Sequence, residues 1–199
     1  MQNNGKVLVV DDTRLNMEFM ADCLYRAGYD VSKAYSGEEA LEIVEVSCPD
    51  LILLDIILPG IDGFTVTERL KNSARTRIIP IVMVTSLDGI EDKVKGFEAG
   101  ADDFLTKPVN QVELTARVRS LIKMKSLQEG MLESALKEEK DFTDNLIHNA
   151  TVPIFVLDEN HKIIIWNRAC EELTGFAADA MLGTSRQWEP FYDNERPTL

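Results

Sequence analysis

Long apolar runs are absent from this 199-residue sequence, and none approaches the ~20 residues needed to span a bilayer. The first residues also lack the charged and apolar regions of a signal peptide. We therefore expect a cytoplasmic chain that does not enter a membrane. Cysteine is scarce as well: Cys23, Cys48 and Cys170 lie far apart and form no CxxC pair, so neither a disulfide framework nor a zinc site is predicted, and we expect reduced, mostly buried thiols.

Basic residues are few relative to acidic ones. The sequence has 21 Lys and Arg against 34 Asp and Glu, which gives a net charge of −13. A chain of this charge repels a phosphate backbone, so we expect no binding to nucleic acid. A hydrophobic share of 45% with a charged share of 28% is typical of a globular protein and not of a disordered one.

Short apolar runs alternate with amphipathic stretches from Lys6 to about Lys125. This alternation predicts a doubly wound α/β fold, in which a parallel sheet is covered by helices on both faces. Five strands are predicted, at residues Val7 to Val10, Asp30 to Ala34, Leu51 to Leu54, Ile81 to Val84 and Asp103 to Leu105.

Helix boundaries are marked by capping residues. Ser36 with Glu39, and Asn110 with Glu113, have the spacing of capping boxes that begin the second and fifth helices. Gly28 is predicted as the C-cap of the first helix, since glycine adopts the left-handed conformation found there. These signals place the polar residues discussed next in loops that follow strands.

Several polar residues stand where the predicted strands end. Parallel sheets of this class bind ligands beyond the carboxyl ends of their strands. The residues at those ends are Asp11 and Asp12 after the first strand, Asp55 after the third, Thr85 and Ser86 after the fourth, and Lys107 and Pro108 after the fifth.

Three carboxylates at one rim would repel each other in a half-buried site, and a hard cation such as Mg²⁺ removes that repulsion. The same cation can draw a phosphoryl group against Asp55. Lys107 and the Thr85 hydroxyl could then contact the remaining phosphate oxygens. Phosphoryl transfer with Mg²⁺ (or Mn²⁺) as cofactor is therefore the chemistry that these residues favour.

The segments VLVVDD, LILLDIILPGIDGF, IVMVTS and GADDFLTKP resemble, in order and spacing, the signature segments of bacterial response-regulator receiver domains, over about residues 5 to 124. Within that family the sequence looks most like receivers of diguanylate cyclases and sensor kinases. The resemblance implies a flavodoxin-like fold and two-component signalling, with a histidine kinase or phosphotransfer protein as phosphoryl donor. It implies phosphorylation of Asp55, metal ligation by Asp12, Asp55 and the Ile57 carbonyl with Asp11 nearby, and phosphate contacts from Thr85, Ser86 and Lys107.

The resemblance also implies a switch. In it, the Thr85 hydroxyl moves to the phosphate and the Phe104 ring turns inward, which repacks the surface around the fourth helix, fifth strand and fifth helix. Pro108 follows a peptide bond that is usually cis in the family. Ile57 and Leu87 correspond to positions that flank the path of the water attacking the phospho-aspartate, and because both are apolar we expect slow self-dephosphorylation.

Three other functions fit these residues less well. A degenerate receiver that only binds proteins would usually have lost an acid, the Thr or the Lys, and this sequence keeps them all. A haloacid-dehalogenase-type phosphatase needs Asp-x-Asp after the first strand, where this chain has Asp12, Thr13 and Arg14. A flavodoxin-like flavin binder needs a phosphate-cradling loop there, which DDTRLN does not provide.

The fifth helix shows no stop signal, and helix-favouring sequence continues to about Asn149. It carries an apolar stripe, which predicts a parallel homodimer through this connector. The stripe comprises Leu121, Met124, Leu127, Met131, Ala135, Phe142 and Leu146.

Past the connector, NLIHNATVPIFVLDENHKIIIWNRACEELTGFAADAMLG resembles the start of a PAS domain, with two strands and two short helices. We expect only the N-terminal part of such a domain, of α+β class. No cysteine follows Gly183, so flavin photochemistry is not expected. His148 lacks the surroundings of a kinase phospho-acceptor, and Trp166 and Trp188 are interpreted as core residues.

The predicted organisation is a receiver at 1–124, a helical connector at 125–149 and an incomplete PAS-like segment at 150–199. The sequence has no cyclase, kinase or helix-turn-helix motif, so we expect a regulatory chain and not an enzyme.

Overall fold

The computed structural model describes residues 4–86, 90–187 and 189–190. The chain forms two compact units, Met1–Gly130 and Met131–Leu199. Among the described residues, no helix combines the length and the apolar character that crossing a membrane requires.

The first unit is built on a five-stranded parallel sheet with the order β2-β1-β3-β4-β5. The fold class predicted from the sequence is confirmed. Strands β3 and β4 are buried at every residue, which explains their continuous apolar sequences. The strand bounds are β1 (Lys6–Val10), β2 (Asp30–Ala34), β3 (Leu51–Asp55), β4 (Ile81–Thr85) and β5 (Asp103–Thr106).

Five helices alternate with these strands. Successive side chains of a strand point to opposite faces of a sheet, so β1 contributes Val7 and Val9 to one apolar cluster and Leu8 and Val10 to another. Helices α1 and α5 complete the first cluster, and α2 and α3 complete the second. The helix bounds are α1 (Arg14–Arg26), α2 (Gly37–Ser47), α3 (Gly63–Asn72), α4 (Ile90–Glu98) and α5 (Gln111–His148).

Two predicted helix ends differ in detail. Helix α1 ends with Ala27 as its C-cap, and Gly28 is the next residue, with a φ of +85°. At the start of α2, the Ser36 side chain accepts the Glu39 N–H at 3.2 Å as predicted. The Glu39 carboxylate, however, accepts from the N–H of Tyr35 at 2.6 Å, one residue before the cap.

Helix α5 is anchored to the first unit over its first four turns. Leu114 and Val118 are buried in the core, and Leu121 and Ile122 pack against it. Lys125 then places its Nζ 2.9 Å from Asp50 Oδ1. The other Asp50 oxygen accepts the Lys6 N–H at 2.8 Å. Asp50, the residue that precedes β3, therefore connects α5 to the start of β1.

The second unit contains the predicted pair of antiparallel strands and two short helices, namely β6 (Phe155–Leu157), β7 (Ile163–Trp166), α6 (Arg168–Thr174) and α7 (Ala178–Met181). Trp166 is buried, and its Nε1 donates to the Phe176 carbonyl at 3.0 Å, so it is a core residue as the sequence analysis expected. Trp188 lies outside the described residues.

Asn167 is the polar centre of the second unit and is almost fully buried. Its side-chain amide donates to the carbonyls of Ile147 and Val152, at 3.0 and 2.9 Å. Its oxygen accepts from the N–H groups of Ile154 and Cys170, at 2.9 and 3.1 Å. One side chain therefore ties the last turn of α5 to the strand and helix that follow.

The cysteines are free thiols. Cys23 and Cys170 are buried, and burial is the main cause that raises the pKa of each. Cys48 is the exposed one of the three and is the C-cap of α2, so the thiols are mostly buried as expected.

Candidate functional site

The strand register brings the predicted site residues to one edge of the sheet. Val10 is paired with Leu54, so the next residues, Asp11 and Asp55, leave the sheet side by side. Thr85 is paired with Thr106, which places Lys107 immediately beyond β4. The site is thus assembled by backbone pairing among four strands.

Three carboxylates meet at this edge. Asp11, Asp12 and Asp55 each offer an oxygen, and these oxygens lie within 4.8 Å of one another. Asp11 is fully buried and Asp55 is 5% exposed, whereas Asp12 is exposed. Carboxylates at this spacing, with one of them open to solvent, form a donor set that suits Mg²⁺, which keeps several of its waters when bound to proteins. The cluster could therefore hold a divalent cation.

Lys107 joins the two buried acids. Its Nζ lies 2.8 Å from Asp11 Oδ2 and 2.5 Å from Asp55 Oδ2, and its side chain is 19% exposed. Three carboxylates and one ammonium give the site a net charge of −2, because −3 + 1 = −2. A divalent cation would balance that charge.

Burial and the ion pairs act in opposite directions on the pKa values. Burial raises the pKa of Asp55 above its ordinary value, although the hydrogen bond from Lys107 lowers it in part. Burial acts to lower the pKa of Lys107, but its hydrogen bonds to Asp11 and Asp55 outweigh burial and raise it. The ammonium therefore stays charged between the two acids.

Asp11 has further donors that the sequence analysis missed. Its Oδ1 accepts the Thr13 N–H at 2.8 Å and the Asn16 side-chain amide at 3.3 Å, while Oδ2 faces Lys107. Asn16 lies in the first turn of α1, five residues after Asp11. The sequence shows only that Asn16 is a polar residue close to the end of β1. Its hydrogen bond to Asp11 depends on the angle at which α1 leaves the loop.

Asp55 is also held by the loop after β3. The Ile57 N–H donates to Asp55 Oδ1 at 3.2 Å, and the Ile57 side chain is 58% exposed. Gly63 opens α3 against this loop, where a Cβ would lie 2.4 Å from the Asp55 carbonyl oxygen. Only glycine allows the helix to begin so close to the site.

The predicted phosphate-contacting residues differ in burial. Thr85 is buried, and its carbonyl accepts the Lys107 N–H at 2.8 Å. Ser86 is exposed at the rim. Leu87 lies outside the described residues. The Lys107–Pro108 peptide bond is cis.

Phe104, the predicted switch ring, is buried behind the site. It packs edge-on against Phe97, with ring centroids 4.8 Å apart, and belongs to a cluster that includes Met83. A Cβ on Gly96 would lie 2.5 Å from the tip of the Phe104 ring, so the inward position of the ring depends on this glycine of α4.

An apolar groove of about 350 Å³ opens beside Lys107. It lies between α1 and the segment that follows β5, and its apolar walls include Leu15, 79% exposed, and Phe19, 44% exposed. Exposed apolar surface next to a charged site is typical of a surface that receives another protein.

Comparison with known proteins agrees with this geometry. The response regulator receiver domain family matches residues 7–119, and the PAS fold family matches residues 141–186. The chain is 48% identical over 122 residues to the response regulator PleD of Caulobacter vibrioides, covering 61% of this chain and 27% of PleD. It is 44% identical over 118 residues to the DNA-binding dual master transcriptional regulator RpaA of Synechocystis, covering 59% of this chain and 49% of RpaA.

A solved structure shows the same fold. The receiver domain of a signal transduction histidine kinase from Syntrophus aciditrophicus superimposes with a TM-score of 0.57 at 34% identity, over 60% of this chain and 90% of that domain. The chain spans about a quarter to a half of the length of the two curated relatives named above. The similarity to them therefore concerns the receiver part.

Proposed function

This chain belongs to the response regulator receiver domain family, and we propose that it accepts a phosphoryl group on Asp55 from a histidine kinase or phosphotransfer protein. The observation that carries the proposal is the convergence of Asp11, Asp12, Asp55 and Lys107 at one edge of the sheet. The described geometry supports a regulatory phospho-acceptor in a two-component system.

In the proposed reaction, an Asp55 carboxylate oxygen forms a bond to phosphorus as the bond from phosphorus to the donor's leaving group breaks. A divalent cation held by Asp12, Asp55 and the Ile57 carbonyl, with Asp11 nearby, would supply charge neutralisation. Lys107 already contacts Asp55 and is positioned to contact the new phosphate oxygens. Thr85 stands beside it at the end of β4 and is proposed, with Ser86, to hydrogen-bond the phosphate.

The groove between α1 and the segment after β5 supports a protein as donor. Its apolar walls include Leu15, Phe19 and Pro108. A partner that covers them would remove their apolar surface from water, which favours binding. Lys107 also lines the groove, so a partner seated there would present its phosphoryl group next to Asp55.

We propose that α5 then passes the signal to the PAS-like segment. The helix is continuous from Gln111 to His148. It is fixed to the first unit by the Lys125–Asp50 ion pair and to the second unit's hairpin by Asn167. A helix fixed near both ends transmits a rotation or tilt better than a flexible linker does. The proposed division into receiver (1–124), connector (125–149) and PAS-like segment (150–199) follows from this role.

Acetyl phosphate with Mg²⁺ tests the phospho-acceptor directly. We expect intact mass to show a single phosphate adduct, peptide mapping to place it on Asp55, and Asp55→Asn to remove it. A chain that stays unmodified at saturating donor, or whose adduct survives in Asp55→Asn, contradicts the proposal. The unmodified result would favour a scaffold that binds proteins without phosphorylation.

The lifetime of the adduct is expected to depend on Ile57. Its backbone N–H contacts Asp55, and its exposed side chain is apolar and offers no group to orient an attacking water. Ile57→Asn should therefore speed the loss of phosphate by about tenfold, a modest share of what positioned proton acceptors contribute to catalysis. The decay of the adduct is followed by intact mass after the donor is removed.

Val46→Asn is the matched control, because Val46 is a more exposed aliphatic residue on α2, 88% exposed and outside the site. Its phosphate lifetime should equal that of the wild type. Equal lifetimes in all three proteins would show that Ile57 does not limit hydrolysis.

A further inference from the structure

Helix α5 carries an apolar face that nothing covers in the described chain. We call this face the seam and define it by Met124, Leu127, Met131, Ala135, Phe142 and Leu146. The five larger side chains are between 59% and 75% exposed. Their spacings of three, four and seven residues place them along one side of the helix.

The seam is not a continuation of the side of α5 that packs on the first unit. Lys125, at 11% side-chain exposure, and Ile122 still contact that unit where the seam begins. Met124, the residue before Lys125, is 61% exposed. Neighbouring residues of a helix point about 100° apart, so the seam starts on a different side from the anchored face. A partner can therefore lie along the seam from its first residue without displacing the anchored side of α5.

The exposed area is large enough for a specific interface. Leu132 and Leu136, 63% and 58% exposed, border the seam on the side of the helix that also carries Lys125. The seven large side chains together expose roughly 700 Å², which exceeds the few hundred Å² of a usual surface patch. Two such faces packed together approach the ~1,000 Å² or more that specific interfaces bury.

We propose that the seam pairs with the same seam of a second copy of this chain, as a parallel two-stranded coil in register. In that arrangement a residue at the border of the seam faces the residue five positions later on the other helix. Leu127, at one border of the seam, then meets Leu132 of the second copy, and Ser134 meets Glu139. Neither contact opposes like charges.

Glu138 is the weak point of the seam. It follows Met131 by seven residues and therefore lies on the same side of the helix as Met131. In the parallel pair it faces Glu138 of the second copy. Two facing carboxylates repel, so the pairing is expected to be reversible. Glu138→Leu should tighten the dimer, and Met131→Glu should loosen it, each by at least tenfold in dissociation constant.

Glu133→Leu is the control. Glu133 follows Met124 by nine residues, and at 100° per residue this places it on the opposite side of α5. Sedimentation of the unphosphorylated 199-residue chain compares all three variants with the wild type, with helix content checked by circular dichroism. Opposite shifts for Glu138→Leu and Met131→Glu, with no shift for Glu133→Leu, support the seam. Identical behaviour of all four proteins overturns it.

Cysteine cross-linking tests the orientation. In a Cys48→Ser background, which keeps the buried Cys23 and Cys170, Met124→Cys and Met131→Cys should each form disulfide-linked dimers, and Glu133→Cys should not. Links that form only when Met124→Cys is mixed with Leu146→Cys would overturn the parallel arrangement. Because this experiment needs no phosphorylation, its failure leaves the phospho-acceptor proposal untouched, and loss of phosphorylation leaves the dimer untouched.

Discussion

Mutation of Asp12 to Ala should abolish Mg²⁺ binding and phosphorylation of Asp55 together. Asp12 is the exposed carboxylate of the cluster, and Thr13 is its one described hydrogen-bond donor. The buried Asp11 and Asp55 already share Lys107. Removing Asp12 lowers the charge of the four groups from −2 to −1, and the remaining two acids are partly neutralised by the lysine. We therefore expect no measurable Mg²⁺ binding by the variant, since affinity follows the number of charged ligands.

Calorimetric titration with Mg²⁺ and labelling with acetyl phosphate measure the two losses on the same preparation. Asp22→Ala is the control, because Asp22 lies on α1 but is exposed and pairs only with Arg26 among the described residues. This control should keep both properties. Unchanged Mg²⁺ affinity in Asp12→Ala would show that the cation does not need this carboxylate.

The edge of the sheet could be predicted from the sequence because strands are local features. LILLD and IVMVT are continuous apolar runs, and a run buried on both faces belongs inside a parallel sheet. Once the strands are known, the residues that follow them must gather at one edge. The sequence therefore predicts that Asp11, Asp55, Thr85 and Lys107 lie together.

The side-chain partners at that edge depend on tertiary geometry and were not predictable in the same way. Lys107 was expected to contact phosphate, and its pairing with both Asp11 and Asp55 appears only when the loops are positioned. Asn167 is the N-cap of α6, and its further bonds to Ile147 and Val152 form only when the end of α5 lies against the segment around β6 and β7. The C-cap of α1 is Ala27 and not Gly28, a difference within the one or two residues by which helix ends vary.

Lys107→Met should destabilise the first unit in the absence of metal, by about 3 kcal/mol, because it leaves two buried carboxylates without their cation. Methionine keeps most of the length of the side chain, so the loss reports charge more than packing. Hydrogen exchange of the β1 and β3 amides, measured with a chelator, gives the free energy of opening for this unit alone. Added Mg²⁺ should stabilise the variant more than the wild type, since the ion replaces the missing positive charge. Phosphorylation should nevertheless be impaired, because the ion does not supply the ammonium that contacts the phosphate.

The loss of stability in Lys107→Met should depend on pH in a definite direction. Burial raises the pKa of Asp55, and Lys107 opposes that rise, so the pKa should climb further in Lys107→Met. A carboxyl whose pKa is raised on folding contributes stability below its unfolded value, and this contribution is lost as the pH rises through the folded value. The deficit of the variant should therefore be larger at pH 7 than at pH 5. Lys33→Met is the control, since Lys33 pairs with the exposed Glu18 and should show little deficit at either pH. A Lys107→Met protein as stable as the wild type with chelator at pH 7 would mean that the two buried acids do not need the ammonium as a partner, and the stabilising role assigned to Lys107 would be wrong.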